Sequence, residues 1–79
     1  KLGYQETREL AALPERISAL EQEHAALQTR LADPALYRGE AAAIKDLQSR
    51  LGALDAELAA AYARWEALEA RAAGAGAAQ

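Results

Sequence analysis

Two stretches, LAALPERISALEQEHAALQTRL (residues 10–31) and IKDLQSRLGALDAELAAAYARWEALEARA (residues 44–72), decide the fold. In the first, Leu10, Leu13, Ile17, Leu20, His24, Leu27 and Leu31 recur at spacings that alternate between three and four. In the second, Ile44, Leu47, Leu51, Leu54, Leu58, Ala61, Trp65, Leu68 and Ala72 do the same. This is a heptad seam sustained over about three and about four repeats. Leu10, Ile17, His24 and Leu31 take position a, and Leu13, Leu20 and Leu27 take d. In the second stretch Ile44, Leu51, Leu58 and Trp65 are a, and Leu47, Leu54, Ala61 and Leu68 are d.

Between them lies ADPALYRGE, residues 32–40. Asp33 before Pro34 suits an N-cap with proline at the first helical position. A residue before proline avoids the α conformation, so the first helix should end near Ala32. Gly39 is expected to permit the reversal. So short a connection makes the two helices antiparallel neighbours. Pro14 removes a backbone donor and clashes with the carbonyl four residues back, which predicts a kink or break near Leu13. The expected fold is therefore an all-α, two-helix antiparallel coiled-coil hairpin over residues 1–72. Its expected parts are an N-terminal helical segment (1–13) kinked at Pro14, a first long helix (14–32), a tip (33–39) and a second helix (40–72). The Gly/Ala-rich residues 73–79 should fray.

Charge selects the register. With Leu27 opposite Ile44 and Leu20 opposite Leu51, the flanking g positions pair Glu9 with Arg64, Arg16 with Glu57 and Glu23 with Arg50. A slide of one heptad brings Arg30 to Arg50, Glu23 to Glu57 and Arg16 to Arg64, all like-charged. One exposed pair is a weak determinant, but in the slide Arg16 and Glu23 both pass from opposite-charged to like-charged partners.

Composition narrows the function. The chain has 79 residues, 9 Lys and Arg, 12 Asp and Glu, and no Cys, which excludes disulfides and thiolate metal sites. A single His leaves only carboxylates for the remaining ligands of any metal. The net charge of −3 argues against a surface that is basic throughout. No apolar run is long enough to span a membrane and no export signal opens the chain, so a cytoplasmic origin is expected. The first residue is Lys1, which suggests a fragment of a longer protein. There is no phosphate-cradling Gly loop and no nucleophile elbow, and Ser18 and Ser49 fall on outer faces, so no enzyme is expected within this chain.

His24, at an a position, reads either as a pH-sensitive contact or as a polar break that fixes register; the second is the more ordinary role. Trp65 is expected to anchor residues 2–6 at the open end. The strongest functional pointer is the set of cations near the tip. Arg30, Arg38 and Lys45 cluster there with Arg50 one to two turns below, and Tyr37 adds a stacking surface. These residues suit phosphate contact and base stacking. Lys1 and Arg8 form a rival surface at the open end.

KLGYQETREL entering LPERI, ADPALY at the tip and AELAAAYARWEALEA near the end, in that order, resemble the C-terminal domain of Uup-type ABC-F ATPases over roughly residues 1–70. Position 3 departs from the pattern, with Gly3 where the resemblance predicts Ser. The stretch after Tyr37 is also short. The resemblance implies a soluble tandem ABC ATPase whose ATP and Mg chemistry resides in other domains. Its tail is associated with DNA binding, and its wider family acts on ribosomes and rRNA. The leading expectation is a monomeric accessory domain making electrostatic, sequence-tolerant contact with DNA or rRNA. The alternative is a structural coiled coil that contacts the ATPase domains of the same chain, or a protein partner, without touching nucleic acid.

Overall fold

A computed structural model describes residues 2–77. Helix α1 runs Tyr4–Ala32, a short 3₁₀ helix runs Pro34–Arg38, and helix α2 runs Ala41–Ala77. The two long helices lie side by side as an antiparallel hairpin with extents of 61 × 15 × 15 Å. A helix rises about 1.5 Å per residue, so α2 alone accounts for most of that length.

The core is the seam. Leu13, Leu20 and Leu27 of α1 and Leu47, Leu54, Ala61 and Leu68 of α2, all d positions, are buried together with Ile17. The other a positions, Leu10, His24, Leu31, Ile44, Leu51, Leu58 and Trp65, are half-buried. The seam is thus sheltered more on its d side, where Arg and Glu side chains at g bridge the helices. On the other side the flanking e positions hold Pro14, Glu21, Gln28, Gln48, Asp55 and Tyr62, and none of them is an arginine long enough to span the groove.

The register is the expected one. Arg64 Nε donates to Glu9 Oε2 at 2.7 Å, Arg50 Nε to Glu23 Oε2 at 2.7 Å, and Arg16 Nη2 lies 3.6 Å from Glu57 Oε1. His24 Nε2 meets Asp55 Oδ1 at 2.7 Å, so the polar break at a has a partner on the opposite helix.

Three expectations need correction. The first concerns Pro14, which lies inside an uninterrupted α1, so residues 1–13 form no separate segment. Leu10, Leu13 and Ile17 bury the seam face on both sides of the proline, and Glu6 and Glu9 tie the first turns to α2. Tertiary packing here outweighs the missing donor. The second concerns α2, which begins at Ala41 and continues to Ala77 rather than ending at 72. Alanines carry the helix past Gly74, whose φ is not positive. Expectations for Lys1 and for residues 78–79 lie outside the described residues. The third concerns Gly39, whose φ of −92° and ψ of −159° suit any residue. The reversal is made by the 3₁₀ helix and its caps, not by glycine's freedom.

At the open end Gly3 is the N-cap of α1, with φ −74° and ψ 174°. Its N–H donates to Glu6 Oε1 at 3.2 Å, half of a capping box. Glycine has no hydroxyl to supply the other half. Leu2 and Trp65 both pack onto the core cluster there.

Candidate nucleic-acid interface

The tip is built from local rules. Asp33 ends α1 in an extended conformation and its Oδ1 accepts the Ala35 N–H at 3.0 Å, which opens the 3₁₀ helix with Pro34 in its first turn. The Gly39 N–H closes that helix on the Leu36 carbonyl at 3.2 Å. The Tyr37 hydroxyl reaches back to donate to the Leu31 carbonyl at 2.6 Å, satisfying an acceptor that the end of α1 would otherwise leave open. Leu31 and Leu36 pack on the end of the core. This holds the Tyr37 ring in place while leaving it 55% exposed.

Arg30 in the last turn of α1, Arg38 at the end of the 3₁₀ helix and Lys45 in the first turns of α2 are all exposed. Among the described residues none of the three lies within ion-pair distance of a carboxylate. The stem differs. Arg16, Arg50, Arg64 and Arg71 are all ion-paired there. Arg8, the remaining described cation, sits 5.7 Å above the Tyr4 ring at the open end. Among the described residues, three of the four cations without a carboxylate partner are therefore at the tip end. Asp33, Glu40 and Asp46 lie in the same region, so it is balanced in net charge while the remainder of the chain is acidic.

Arg50 does not belong to this group. Nε and Nη2 grip Glu23 at 2.7 and 2.8 Å, and Nη1 reaches Glu57 at 3.2 Å. The Glu23 carboxylate holds the Arg50 guanidinium more firmly protonated, with Glu57 adding to the effect. A phosphate would have to displace a bidentate carboxylate to reach it. Of the residues expected at the site, Arg30, Arg38, Lys45 and Tyr37 are exposed at the tip end of the hairpin, and Arg50 lies in the stem.

The ion pairs carry their own signature. Glu6 is lowered to about 2, first by its hydrogen bond from Arg71 and next by that from the Gly3 N–H. Arg64 lowers Glu9 and Arg50 lowers Glu23, in each case chiefly by hydrogen bonding. The Glu6–Arg71 pair, with Nη2 to Oε1 at 3.0 Å, was not expected from the sequence. Extending the heptads back from Leu10 puts Glu6 at a d position, and a carboxylate at the edge of an apolar seam is a signal that a cation lies opposite. The bond from the Tyr62 hydroxyl to Glu21 Oε2 at 2.6 Å was also missed.

No group of three or more possible metal ligands occurs among the described residues. No helix among them is long and apolar enough to cross a membrane.

Comparison with known proteins gives a consistent result. The sequence model for the ABC transporter C-terminal domain matches residues 1–70. An ATP-binding protein Uup-like of Haemophilus influenzae is 43% identical over 70 residues, covering 87% of this chain and 15% of that protein. The ATP-binding protein Uup of the same organism is 43% identical over 70 residues, covering 87% of this chain and 11% of its own length. Uup of Escherichia coli is 37% identical over 70 residues, covering 89% of this chain and 11% of that protein. The chain thus spans between 11% and 15% of the length of these relatives. No solved structure matches it.

Proposed function

This chain belongs to the ABC transporter C-terminal domain family, and from that premise we propose that it is a monomeric, non-catalytic accessory arm of an ATP-binding protein that meets nucleic acid with its tip. The observation that carries this reading is the segregation of positive charge. Arg16, Arg50, Arg64 and Arg71 are consumed in ion pairs, while Arg30, Arg38 and Lys45 at the tip end, like Tyr37, are exposed, and the three cations have no carboxylate partner among the described residues. Phosphates take up exposed Arg and Lys, and an exposed aromatic stacks on a base. No side-chain constellation here reads base edges, so the contact is sequence-tolerant and serves DNA or rRNA alike.

ATP and Mg²⁺ are handled elsewhere in the parent protein. The residues of this chain do not fit them, because the sequence has no Gly-rich phosphate loop and the described residues offer no cluster of metal ligands. The expected setting is a soluble, cytoplasmic ATPase whose nucleotide-binding domains precede this arm.

The test is a salt titration of the chain with duplex DNA, single-stranded DNA and ribosomes. Three phosphate contacts give a slope of log K against log salt of about −2.7 on duplex. Replacing Arg30, Arg38 and Lys45 together by Gln should remove most of that slope, equally on unrelated sequences, with the helical signal unchanged. Binding that keeps its slope in the triple variant would exclude the tip.

The charge balance of the tip favours a second reading. Asp33, Glu40 and Asp46 accompany the three cations, and a pattern of mixed sign suits a protein surface, including that of the ATPase domains, better than a phosphate backbone. Absence of any nucleic-acid binding at low salt would select it.

A further inference from the structure

The open half of the hairpin carries a surface that the tip does not use. Pro14 and Ile17 of α1 and Tyr62 and Trp65 of α2 line a shallow apolar groove of about 210 Å³. Tyr62 is 39% exposed and Trp65 half-buried. The hydrogen bond from the Tyr62 hydroxyl to Glu21 fixes the phenol ring as one wall.

The rim of this groove is acidic. No e position from Thr7 to Gln28 or from Gln48 to Glu69 holds a Lys or Arg, whereas Glu21, Asp55 and Glu69 all occupy e positions. Glu21 follows Ile17 by four residues, Glu66 follows Tyr62 by four, and Glu69 follows Trp65 by four, so each shares a helix face with a groove residue. Among the described residues Glu66 and Glu69 make no ion pair. The g side of the same hairpin is the opposite case, with its charges neutralised in bridges.

We propose that this groove docks a basic amphipathic helix of a protein partner. Its apolar anchors sit between Pro14, Ile17, Tyr62 and Trp65, and its Lys or Arg side chains face the carboxylates of the rim. A helix fits because α1 and α2 already form two sides of a three-helix arrangement, and an amphipathic helix laid in a groove presents anchors at matching intervals. Charge decides the occupant. A second copy of this chain would bring one acidic rim against another, and a nucleic-acid backbone would be repelled. The proposal does not rest on the tip reading, and the two surfaces share no residue.

The probe is a synthetic amphipathic helical peptide with Leu at i, i+3, i+4 and i+7, Lys on its flanks and no aromatic residue. The control replaces each Lys by Glu. Trp65 is the single tryptophan of the chain, so its emission reports on the groove. The Lys peptide should shift Trp65 emission to the blue and move the amide resonances of Ile17, Tyr62, Trp65 and Glu69. The Glu peptide should bind at least about tenfold more weakly. Glu69→Lys, on an exposed and unpaired side chain, should weaken the Lys peptide about two- to fivefold without changing helicity. Tyr62→Ala should weaken it by about tenfold. Equal binding of the two peptides would overturn the proposal. So would shifts confined to residues 30–45, or groove resonances that move on simple dilution of the chain and thereby reveal a second copy as occupant.

Discussion

The burial asymmetry of the seam leads to a specific expectation for two neighbouring leucines. Leu54 is fully buried at d, and Leu58, one turn on at a, is half-buried. Leu→Ala removes three carbons, worth about 0.8 kcal/mol each when fully buried, so the transfer loss at Leu54 is about 2.4 kcal/mol. A residual cavity adds to this, and measured Leu→Ala costs reach about 5 kcal/mol. In a two-helix interface the partners can close part of the gap, so about 2.5–4 kcal/mol is expected. At Leu58 much of the side chain is already in contact with water and the space left is open, so about 1–1.5 kcal/mol is expected on the same reckoning. A domain of this size has a total stability of about 4–12 kcal/mol, and each kcal/mol moves Tm by about 4–8 °C. Leu54→Ala should therefore lower the midpoint by roughly 10–30 °C and Leu58→Ala by less than half as much. Thermal melts followed by far-ultraviolet circular dichroism give both numbers. Equal losses at the two positions, or a Leu54→Ala melt within a few degrees of the parent, would refute the d-centred seam.

Three further outcomes follow from the helix ends and the ion pairs. Glu6, Glu9 and Glu23 are held below the ordinary carboxylate value of 4.5 by hydrogen bonds from Arg71, Arg64 and Arg50, Glu6 at about 2, so their contribution is present above about 4.5 and lost as pH falls toward 2. Melts between neutral pH and pH about 2 should show Tm falling across that window, and a Tm that does not change there would mean the pairs are not formed in solution. Pro14→Ala restores an N–H for the Leu10 carbonyl and replaces the worst helix former by the best, offset partly by a looser unfolded chain, so stability should rise by about 1–3 kcal/mol. A lower Tm would show that the pyrrolidine ring contributes packing in the groove. Gly3→Ser completes the capping box with Glu6 and should add a few tenths of a kcal/mol, read as a Tm rise of about 1–3 °C.

The hairpin and its register were legible because two independent patterns agree. Apolar spacing places Leu20 opposite Leu51, and the g charges of Glu9, Arg16 and Glu23 find Arg64, Glu57 and Arg50 only in that same alignment. What was not legible is what local rules misstate. Pro14 obeys a strong local preference that seam contacts on both sides override. Treating the residues before it as a separate segment hid the heptad that continues to Glu6, and with it the Arg71 pair. At the tip, the sequence places four cations in one neighbourhood but does not say which are already spent. Arg50 lies at g, opposite Glu23, and the same register rule that fixes the fold removes it from the proposed interface. The acidic groove was missed because reading for a seam attends to a, d and g, while the e column is informative through the cations it lacks.

The same rule explains how an acidic chain can offer phosphates a contact. In an antiparallel pair g residues face g residues across the seam, and from Glu9–Arg64 to Glu23–Arg50 the alternation of Glu and Arg neutralises them. Arg30 occupies the g position next beyond Glu23 on α1, and the g position across from it on α2 is Ala43, which carries no charge. Arg38 stands outside both helices, and Lys45 sits at b, away from the seam. Pairing thus ends where the facing g column reaches an alanine, and Arg30, Arg38 and Lys45 stay without a carboxylate partner among the described residues. Moving the overlap by one heptad would set Arg30 against Arg50, Glu23 against Glu57 and Arg16 against Arg64, so the register that stabilises the hairpin is also the one that leaves Arg30 facing no charge across the seam.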